Sequence, residues 1–308
     1  GIQEVLKQII SISRKRQYQI QTENGMAEDL GFEEIDEVYK NKKVVFQGVE
    51  GAYGYAAMLA YFGEGVDCFH VPTFKKAIEA IVNKEANFAV LPIENSTAGI
   101  VTDMYDLLMN YDITIVDEYV LKVEHKLLGL PGTKLSDIKG VYSHPQALAQ
   151  CKPYLEKHPE WILHEYSNTA AASKKIRDDM DMTQAAVGSE AAAKLYGLEV
   201  LAEDIYYDTN NSTRFINVSR NKMFRSSAHR VSICFKGRHS QGSLYNILAH
   251  IIYNRLNMTL IESRPIPDAP WEYRFFVDFE GNLNDSAVKN ALRGIRHDAI
   301  DLRILGNY

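Results

Sequence analysis

The sequence predicts an α/β protein in which two blocks of different organisation follow an N-terminal helix. Strand and helix patterns alternate from residue 43 to about residue 205, which is typical of an α/β architecture with largely parallel sheets. The residues from about 228 to 308 follow another order, with two helices set among four strands. A chain of 308 residues has room for two or three domains, so the blocks are predicted to be separate domains.

The N-terminal helix is predicted over residues 2–20 by one apolar stripe, formed by Ile2, Val5, Leu6, Ile9, Ile10 and Ile12. Arg14, Lys15 and Arg16 lie near its end, where positive charge suits the helix dipole. The chain begins inside this pattern without a capping residue, so we expect the helix to be a truncated piece of a longer element. Residues 21–42 are polar and acidic and are predicted to be a linker.

The first block alternates short apolar runs with amphipathic segments. Its predicted strands are 44–47, 66–70, 88–93, 113–123, 127–130, 140–143, 161–165 and 184–187. Its predicted helices are 52–62, 73–83, 102–109, 144–155 and 168–179, and Thr73 is a candidate cap for the second of them. Ligands of α/β proteins bind where the carboxyl ends of strands lead into helices, so we expect a site at these turns.

The second block has the order βαββαβ. The segments are strand 230–235, helix 242–255, strands 258–263 and 273–279, helix 285–297 and strand 302–305. This order fits a ferredoxin-like module. Residues 220–228 are short and charged, and are predicted to link the two blocks.

Composition and charge exclude several classes of function. A hydrophobic content of 46% and a charged content of 24% are typical of a soluble globular protein. The net charge of −6 argues against nonspecific nucleic-acid binding, which needs a basic surface. The sequence has no apolar run long enough to cross a membrane and no signal-peptide pattern, so a cytoplasmic protein is expected. It has neither a His-rich metal pattern nor a Gly-x-Gly-x-x-Gly fingerprint, so we expect no metal and no cofactor.

Short polar and glycine-containing motifs mark the turns of the first block and recur in the second. In chain order they are Gly48-Val49-Glu50-Gly51-Ala52-Tyr53, Leu91-Pro92-Ile93-Glu94-Asn95-Ser96, His125-Lys126-Leu127-Leu128-Gly129, Ser143-His144-Pro145-Gln146 to Gln150-Cys151, Asn168-Thr169-Ala170, Gly188-Ser189-Glu190, Asn210-Asn211-Ser212-Thr213-Arg214-Phe215, Gly242-Ser243-Leu244-Tyr245 and Glu262-Ser263-Arg264-Pro265. Taken together and in this order, the series resembles the prephenate dehydratase family with a C-terminal ACT regulatory domain. The resemblance covers residues 43–308.

The resemblance implies a fold and a set of domain limits. The dehydratase domain is expected over 43–222, as a two-lobed, periplasmic-binding-protein-like α/β domain. Its first lobe would comprise 43–118 and 206–220, and its second lobe 119–205. The ACT domain is expected over 228–308. Residues 1–42 resemble the end of a chorismate mutase domain, as in bifunctional relatives, and a simple helical extension is the alternative.

The resemblance also implies a reaction. Prephenate is a small dianion with a ring hydroxyl, and its dehydratases expel that hydroxyl as water together with carbon dioxide, leaving phenylpyruvate. The implied catalytic residues are Thr213, as proton donor to the departing hydroxyl, with Asn95, Glu94 and Gln150. The implied substrate-binding residues are Ser143, Thr169, Arg214, Ser96 and Gly51.

Several of these residues have a structural alternative. Thr213 could pack by its methyl group within a strand. Arg214 could clamp a carboxylate or could brace Glu94 or Asp208. Asn95 and Thr169 could be helix caps, and His144 could be a structural residue at a strand end. The first motif lacks the proline and the two hydroxyl residues that relatives usually carry, because Val49, Ala52 and Gly54 stand there. Side-chain contacts from this loop are therefore in doubt, although Gly48 and Gly51 keep its backbone able to approach a ligand.

The motifs of the second block imply regulation. In ACT relatives, the segments matching Gly242, Ser243 and Leu244 and matching Glu262, Ser263, Arg264 and Pro265 form a phenylalanine site between paired domains. The implied effector is thus L-phenylalanine, and the implied assembly is a homodimer or homotetramer. Three other functions stay open: arogenate dehydratase, a non-enzymatic protein that binds small anions, and an amino-acid sensor whose dehydratase domain is inactive.

Overall fold

The computed structural model describes residues 2–26, 29–36, 42–238, 240–267 and 269–308. These residues divide into two compact units. The site unit comprises residues 42–112 and 118–220, and the C-terminal unit comprises the described residues of 2–36, 113–117 and 221–308. No helix among the described residues has the length and apolar character needed to span a bilayer.

Most of the predicted helices and strands are present, whereas the helix Glu190–Tyr196 and the strands Gly99–Ile100 and Glu199–Ala202 were not predicted. The helices are α1 Ile2–Glu23, α2 Tyr53–Phe62, α3 Phe74–Val82, α4 Thr102–Asn110, α5 Pro145–Gln150, α6 Lys152–Leu155, α7 Thr169–Asp179, α8 Glu190–Tyr196, α9 Ser243–Tyr253 and α10 Ser286–Asp298. The strands are β1 Glu33–Ile35, β2 Val44–Gln47, β3 Cys68–Val71, β4 Phe88–Asn95, β5 Gly99–Ile100, β6 Thr114–Lys122, β7 Lys126–Gly129, β8 Gly140–Ser143, β9 Ile162–Glu165, β10 Gln184–Gly188, β11 Glu199–Ala202, β12 Ser212–Ser219, β13 Met223–Arg225, β14 Arg230–Lys236, β15 Met258–Pro265, β16 Tyr273–Glu280 and β17 Ile300–Asn307.

The site unit contains two groups of paired strands, and each group is mixed. In the first group, β4, β2 and β3 are parallel neighbours, while β12 and the short β5 pair with β4 in antiparallel fashion. In the second group, β10, β8 and β9 are parallel, while β7 and β11 are antiparallel additions. The expectation of largely parallel sheets is therefore corrected. The chain enters β7 and β12 from outside their groups, and not through a crossover helix that begins in a neighbouring strand of the same group. The parallel direction that such a crossover imposes is therefore not required of these two strands.

Local sequence signals explain most of the helix boundaries. Thr73 caps α3 as predicted, since its side chain accepts a hydrogen bond from the Lys76 amide. The single helix predicted over 144–155 is instead two short helices, α5 and α6. Pro153 lacks the N–H that an unbroken helix would donate to the carbonyl of residue 149, and this accounts for the interruption.

The C-terminal unit has the predicted ferredoxin-like order. Strands β15, β16, β14 and β17 are neighbours in that sequence, all antiparallel, with α9 and α10 connecting them. Its core contains Phe235, Ile247, Val277, Phe279 and Leu292, all nearly inaccessible to solvent. Burial of each such side chain contributes about 1.5–3 kcal/mol.

Two segments predicted as linkers contain a strand each. Strand β1, within 21–42, pairs in parallel with β13, within 220–228. Leu30, Phe32 and Phe224 pack on the core of the C-terminal unit, and this anchors both segments. These apolar residues are isolated in polar sequence, so periodicity did not reveal them. Residues 27–28 and 37–41 of the predicted N-terminal linker lie outside the described residues.

The N-terminal helix is present, and its apolar stripe remains exposed: Val5, Ile9 and Ile10 are each more than half accessible. The helix packs on other helices of the C-terminal unit, to which it belongs, through another face, where Lys15 lies over the Tyr253 ring and Arg293 lies over the Tyr18 ring. Residues 113–117 also belong to the C-terminal unit, although the first lobe was expected to extend to residue 118. The close approach of strand β17 to residues 113–117 depends on Gly306, because a Cβ atom added there would lie 2.1 Å from the Ile115 carbonyl oxygen. The predicted domain limits all stay predictions.

Candidate active site

A cavity of about 210 Å³ in the site unit collects side chains from several of the predicted motifs. It lies where β4 and β12 meet the starts of α5 and α7. Its lining residues are Tyr53, Asn95, Val123, His125, His144, Gln146, Ala147, Gln150, Asn168, Thr169, Asn211 and Thr213. Four of the predicted site residues, Asn95, Gln150, Thr169 and Thr213, are thus brought together.

Asn95 and Thr213 face each other across the antiparallel pair of β4 and β12. Asn95 Nδ2 donates a hydrogen bond to Thr213 Oγ1 at 2.9 Å. The Asn95 Oδ1 accepts from the backbone amides of Thr97 and Ala98, at 3.0 and 2.8 Å. These two bonds fix the orientation of the Asn95 amide. Because Thr213 Oγ1 accepts from Asn95, the threonine hydroxyl proton is available for donation into the cavity.

Asn211 supports this pair. Its Oδ1 accepts from Asn95 Nδ2 at 2.9 Å, and its side chain is buried. Its backbone carbonyl accepts from the Val123 amide at 2.8 Å, which ties the segment before β12 to the cavity wall. The sequence marked Asn211 only as part of the run before Thr213 and gave it no role. Its burial among polar neighbours is a tertiary property that no local pattern encodes.

Gln150 is held by a buried histidine. His125 Nε2 and Gln150 Oε1 lie 2.7 Å apart, and His125 Nδ1 lies 2.8 Å from the Tyr53 hydroxyl. Burial lowers the pKa of His125, against the smaller opposite effect of its hydrogen bond to Gln150. The imidazole is therefore neutral at neutral pH. The sequence singled out the motif that begins at His125 but assigned neither this residue nor Tyr53 to the site.

Two helix starts point toward the cavity. His144 Nδ1 accepts from the Gln146 amide at 3.2 Å and caps α5, so a neutral His144 carries its proton on Nε2. Asn168 caps α7 by accepting from the Ala171 amide at 2.7 Å, so the cap is Asn168 rather than Thr169. Thr169 is the first residue of α7 and lines the cavity. Unpaired amides at such a helix start favour anions.

Glu94 and Arg214 lie outside this cavity. Successive residues of a strand point to opposite faces, so the neighbours of Asn95 and Thr213 face away from it. Arg214 donates from Nε and Nη2 to Glu94 Oε2, at 3.2 and 3.1 Å, and from Nη1 to Glu118 Oε2 at 3.2 Å. The structure therefore favours the bracing alternative for Arg214. The catalytic role of Glu94 and the carboxylate clamp at Arg214 stay predictions, and the described lining of this cavity includes neither residue.

Ser143, Ser96 and Gly51 also have structural partners instead of a place in the cavity lining. The buried Ser143 hydroxyl donates to the Val187 carbonyl at 2.7 Å and joins β8 to β10. Ser96 Oγ accepts from the Ser212 amide at 2.9 Å, linking the two loops. Gly51 has a φ of +84°, and an added Cβ would lie 3.3 Å from the Ala192 Cα atom of α8. The glycine thus permits close approach of a helix, and its assignment to the substrate stays a prediction.

The phenylalanine motifs lie in the C-terminal unit. Gly242 adopts a left-handed conformation and precedes α9, whose first residues are Ser243 and Leu244. Residues 262–265 are the last residues of the strand β15, which lies at an edge of its sheet. A cavity of about 580 Å³ is lined by Ser243 and Leu244, and its described lining includes none of residues 262–265. Within one chain, the two motifs therefore do not share this cavity.

Comparison with known proteins decides the family. A profile of the prephenate dehydratase family matches residues 44–223. This chain belongs to the prephenate dehydratase family. The bifunctional chorismate mutase/prephenate dehydratase of Buchnera aphidicola (subsp. Acyrthosiphon pisum, strain APS) is 34% identical over 268 residues, which cover 85% of this chain and 70% of that protein. The Arabidopsis thaliana arogenate dehydratase/prephenate dehydratase 2 is 39% identical over 280 residues, covering 86% of this chain and 72% of that protein.

A solved structure supports the same family assignment. The prephenate dehydratase of Arthrobacter aurescens, in complex with L-Phe, superimposes with a TM-score of 0.78 at 31% identity, covering 86% of this chain and 89% of that chain. The family resemblance read from the motifs is confirmed, and with it the mixed α/β, periplasmic-binding-protein-like fold preceded by a helix.

Proposed function

We propose that this chain converts prephenate to phenylpyruvate, carbon dioxide and water. The observation that supports it most is the hydrogen bond from Asn95 to Thr213, which leaves the threonine proton directed into a cavity of neutral donors. In the reaction, the ring C–O bond breaks and the departing oxygen takes the Thr213 proton. The bond between the ring and its carboxylate also breaks. Its electron pair enters the ring, which becomes aromatic as carbon dioxide leaves.

A neutral threonine is a weak acid, so its contribution depends on position. Asn95 Nδ2 donates to Thr213 Oγ1 and stabilises the negative charge that develops there as the proton moves. Solvent returns the proton to Thr213 after product release. A positioned proton donor accelerates a reaction by about 10²–10⁴-fold, and aromatisation supplies the remaining drive.

The cavity binds the dianion with N–H and O–H groups instead of lysine or arginine side chains. Its lining, among the residues that the structure describes, contains no lysine, arginine, aspartate or glutamate. The α7 helix start, the Gln150 amide and the His144 ring supply N–H groups for the two carboxylates. Arogenate differs from prephenate by an ammonium in place of a keto oxygen, and this lining offers that ammonium no carboxylate. The lining therefore favours prephenate over arogenate.

A turnover assay with both substrates tests the proposal. We expect phenylpyruvate to form from prephenate with a kcat/KM at least about tenfold above that for arogenate, a difference of about 1.4 kcal/mol. The reverse preference would identify an arogenate dehydratase. Binding of prephenate without product would instead support a solute-binding protein or a sensor with an inactive dehydratase domain, and would refute the enzymatic assignment.

We also propose that L-phenylalanine binds the C-terminal unit at Gly242, Ser243 and Leu244 of one copy and Glu262, Ser263, Arg264 and Pro265 of another. The ferredoxin-like order, the sheet-edge position of β15 and the L-Phe complex of the Arthrobacter relative support this site. A homodimer or homotetramer in the cytoplasm remains the expected state.

Calorimetry with the intact chain tests the effector site. We expect L-phenylalanine to bind with micromolar affinity, about −8 kcal/mol, and Ser263→Trp to abolish the heat by filling the pocket. The exposed Ser136→Trp, in the other unit, is the matched control and should bind normally. Unchanged binding by Ser263→Trp would place the amino acid elsewhere.

A further inference from the structure

We propose that Tyr53 and His125 are positioning residues that hold the Gln150 side-chain amide in one orientation, with its Nε2 donating into the active-site cavity. The contacts form a chain from the start of α2, through the residue before β7, to the end of α5. This inference rests on the proposed function only for the identity of the anion that Gln150 meets.

The hydrogen-bond directions follow from the atoms involved. Gln150 Oε1 can only accept, so the 2.7 Å contact requires the proton on His125 Nε2. A neutral imidazole carries one proton, so Nδ1 is bare and must accept from the Tyr53 hydroxyl 2.8 Å away. The carbonyl of Glu124, at 3.3 Å, is the more distant partner of that hydroxyl. The other tautomer would need the Tyr53 hydroxyl to accept from Nδ1 and to donate instead to the Glu124 carbonyl across the longer 3.3 Å contact, so we infer that Tyr53 favours the tautomer with the proton on Nε2.

Burial makes this selection strong. His125 is 2% exposed and Gln150 is 8% exposed, so neither finds water in place of these partners. An unpaired buried polar atom costs about 1–3 kcal/mol. Burial raises the pKa of Tyr53, so its hydroxyl keeps the proton that it donates. The rings of Tyr53 and Tyr206 also pack edge-on against the imidazole, with centroids 5.7 and 6.3 Å away, and limit its rotation.

The orientation of the Gln150 amide determines which of its partial charges faces the cavity. With Oε1 held by His125, the other end of the Gln150 amide is a donor in the wall of the cavity. The opposite orientation would place a carbonyl oxygen there and repel a carboxylate. The orientation of one amide therefore decides whether this wall attracts or rejects an anion, in a cavity whose described lining has no lysine or arginine.

Tyr53→Phe removes the hydroxyl that contacts His125 Nδ1 and keeps the aromatic ring. Without the hydroxyl, both tautomers of His125 leave one nitrogen unpaired, so the two Gln150 orientations become similar in energy. Only the donor orientation binds the anion, and the apparent affinity falls with the fraction of protein that has it. With the two orientations about equally populated, we expect KM for prephenate to rise about twofold while kcat stays unchanged.

The control is Tyr55→Phe on the same helix. The Tyr55 ring packs against Phe46, and its hydroxyl makes no hydrogen bond with any residue that the structure describes. It should leave both kinetic constants unchanged. A purely structural role for Tyr53 would lower the melting temperature of Tyr53→Phe without moving KM, and this result would overturn the proposal.

Nitrogen-15 NMR of the histidine rings gives a readout that does not depend on turnover. In the unmodified protein, His125, assigned by comparison with His125→Gln, should carry its proton on Nε2, and Tyr53→Phe should show the second tautomer as well. A proton on Nδ1 in the unmodified protein would refute the inference. If this protein failed to turn over prephenate, the proposed function would fall, while the NMR result would still decide the role of Tyr53.

His125→Gln adds a rescue test. A glutamine at position 125 offers an amide nitrogen to donate to Gln150 and an oxygen to accept from Tyr53, so it reproduces the selected tautomer. We expect His125→Gln to keep KM within about threefold, whereas His125→Leu should raise it more than about tenfold. Equal KM values for the two variants would contradict the proposed orientation, and a folding check by circular dichroism accompanies both.

Discussion

Replacing Thr213 by alanine is expected to reduce kcat by about 10²–10⁴-fold with little change in KM. The hydroxyl meets the departing oxygen in the transition state, so kcat and kcat/KM should fall together. Steady-state assays of phenylpyruvate formation measure both constants.

Thr213→Ser is the matched control for this change. It keeps the oxygen that accepts from Asn95 and the proton that enters the cavity, so it should retain activity within about tenfold. If Thr213→Ala retained comparable activity, the proton donor would be another group and the proposed mechanism would fail.

The second large effect is expected from Asn95→Asp, which is nearly isosteric. Its outer oxygen would still accept from the Thr97 and Ala98 amides. Its other oxygen would replace Nδ2 beside Thr213 Oγ1, where it can only accept. The threonine proton would then turn toward the carboxylate, and the added charge would repel a dianion. We expect kcat to fall about 10²–10³-fold and KM to rise as well.

Asn210→Asp provides the comparison for this variant, because it makes the same chemical change at an exposed position close in sequence. It should change activity less than about twofold, since an exposed charge is well screened. Wild-type kinetics for Asn95→Asp would show that the Asn95–Thr213 hydrogen bond does not direct the threonine proton.

The sequence predicted the order and type of most helices and strands because their signals are local. Apolar runs, caps and the βαββαβ order each depend on neighbouring residues, and the Thr73 cap and the ferredoxin-like sheet confirm them. Strand direction depends instead on which distant segment arrives as a neighbour. This is why the antiparallel positions of β7 and β12 were missed.

The site was predicted in part, for a similar reason. Motif resemblance pointed to Asn95 and Thr213, and the cavity includes both. The same motifs also contain Glu94 and Arg214, which the alternation of a strand sends to the opposite face. That alternation was readable from the sequence and would have separated the two pairs. The contributions of Tyr53 and Asn211 depend on contacts 72 and 116 residues apart, which no local pattern contains.

Two hydrogen bonds connect helix α8 and its N-cap residue to the loop between β2 and α2. Ser189 Oγ donates to the Gly51 carbonyl at 2.9 Å, and the Tyr196 hydroxyl donates to the Glu50 carbonyl at 2.9 Å. A motion of the site unit that separated α8 from this loop would break both hydrogen bonds together, at a free-energy cost of about 1–3 kcal/mol. The loop that leads into Tyr53, a residue of the cavity lining, is therefore tethered from the α8 side of the site unit.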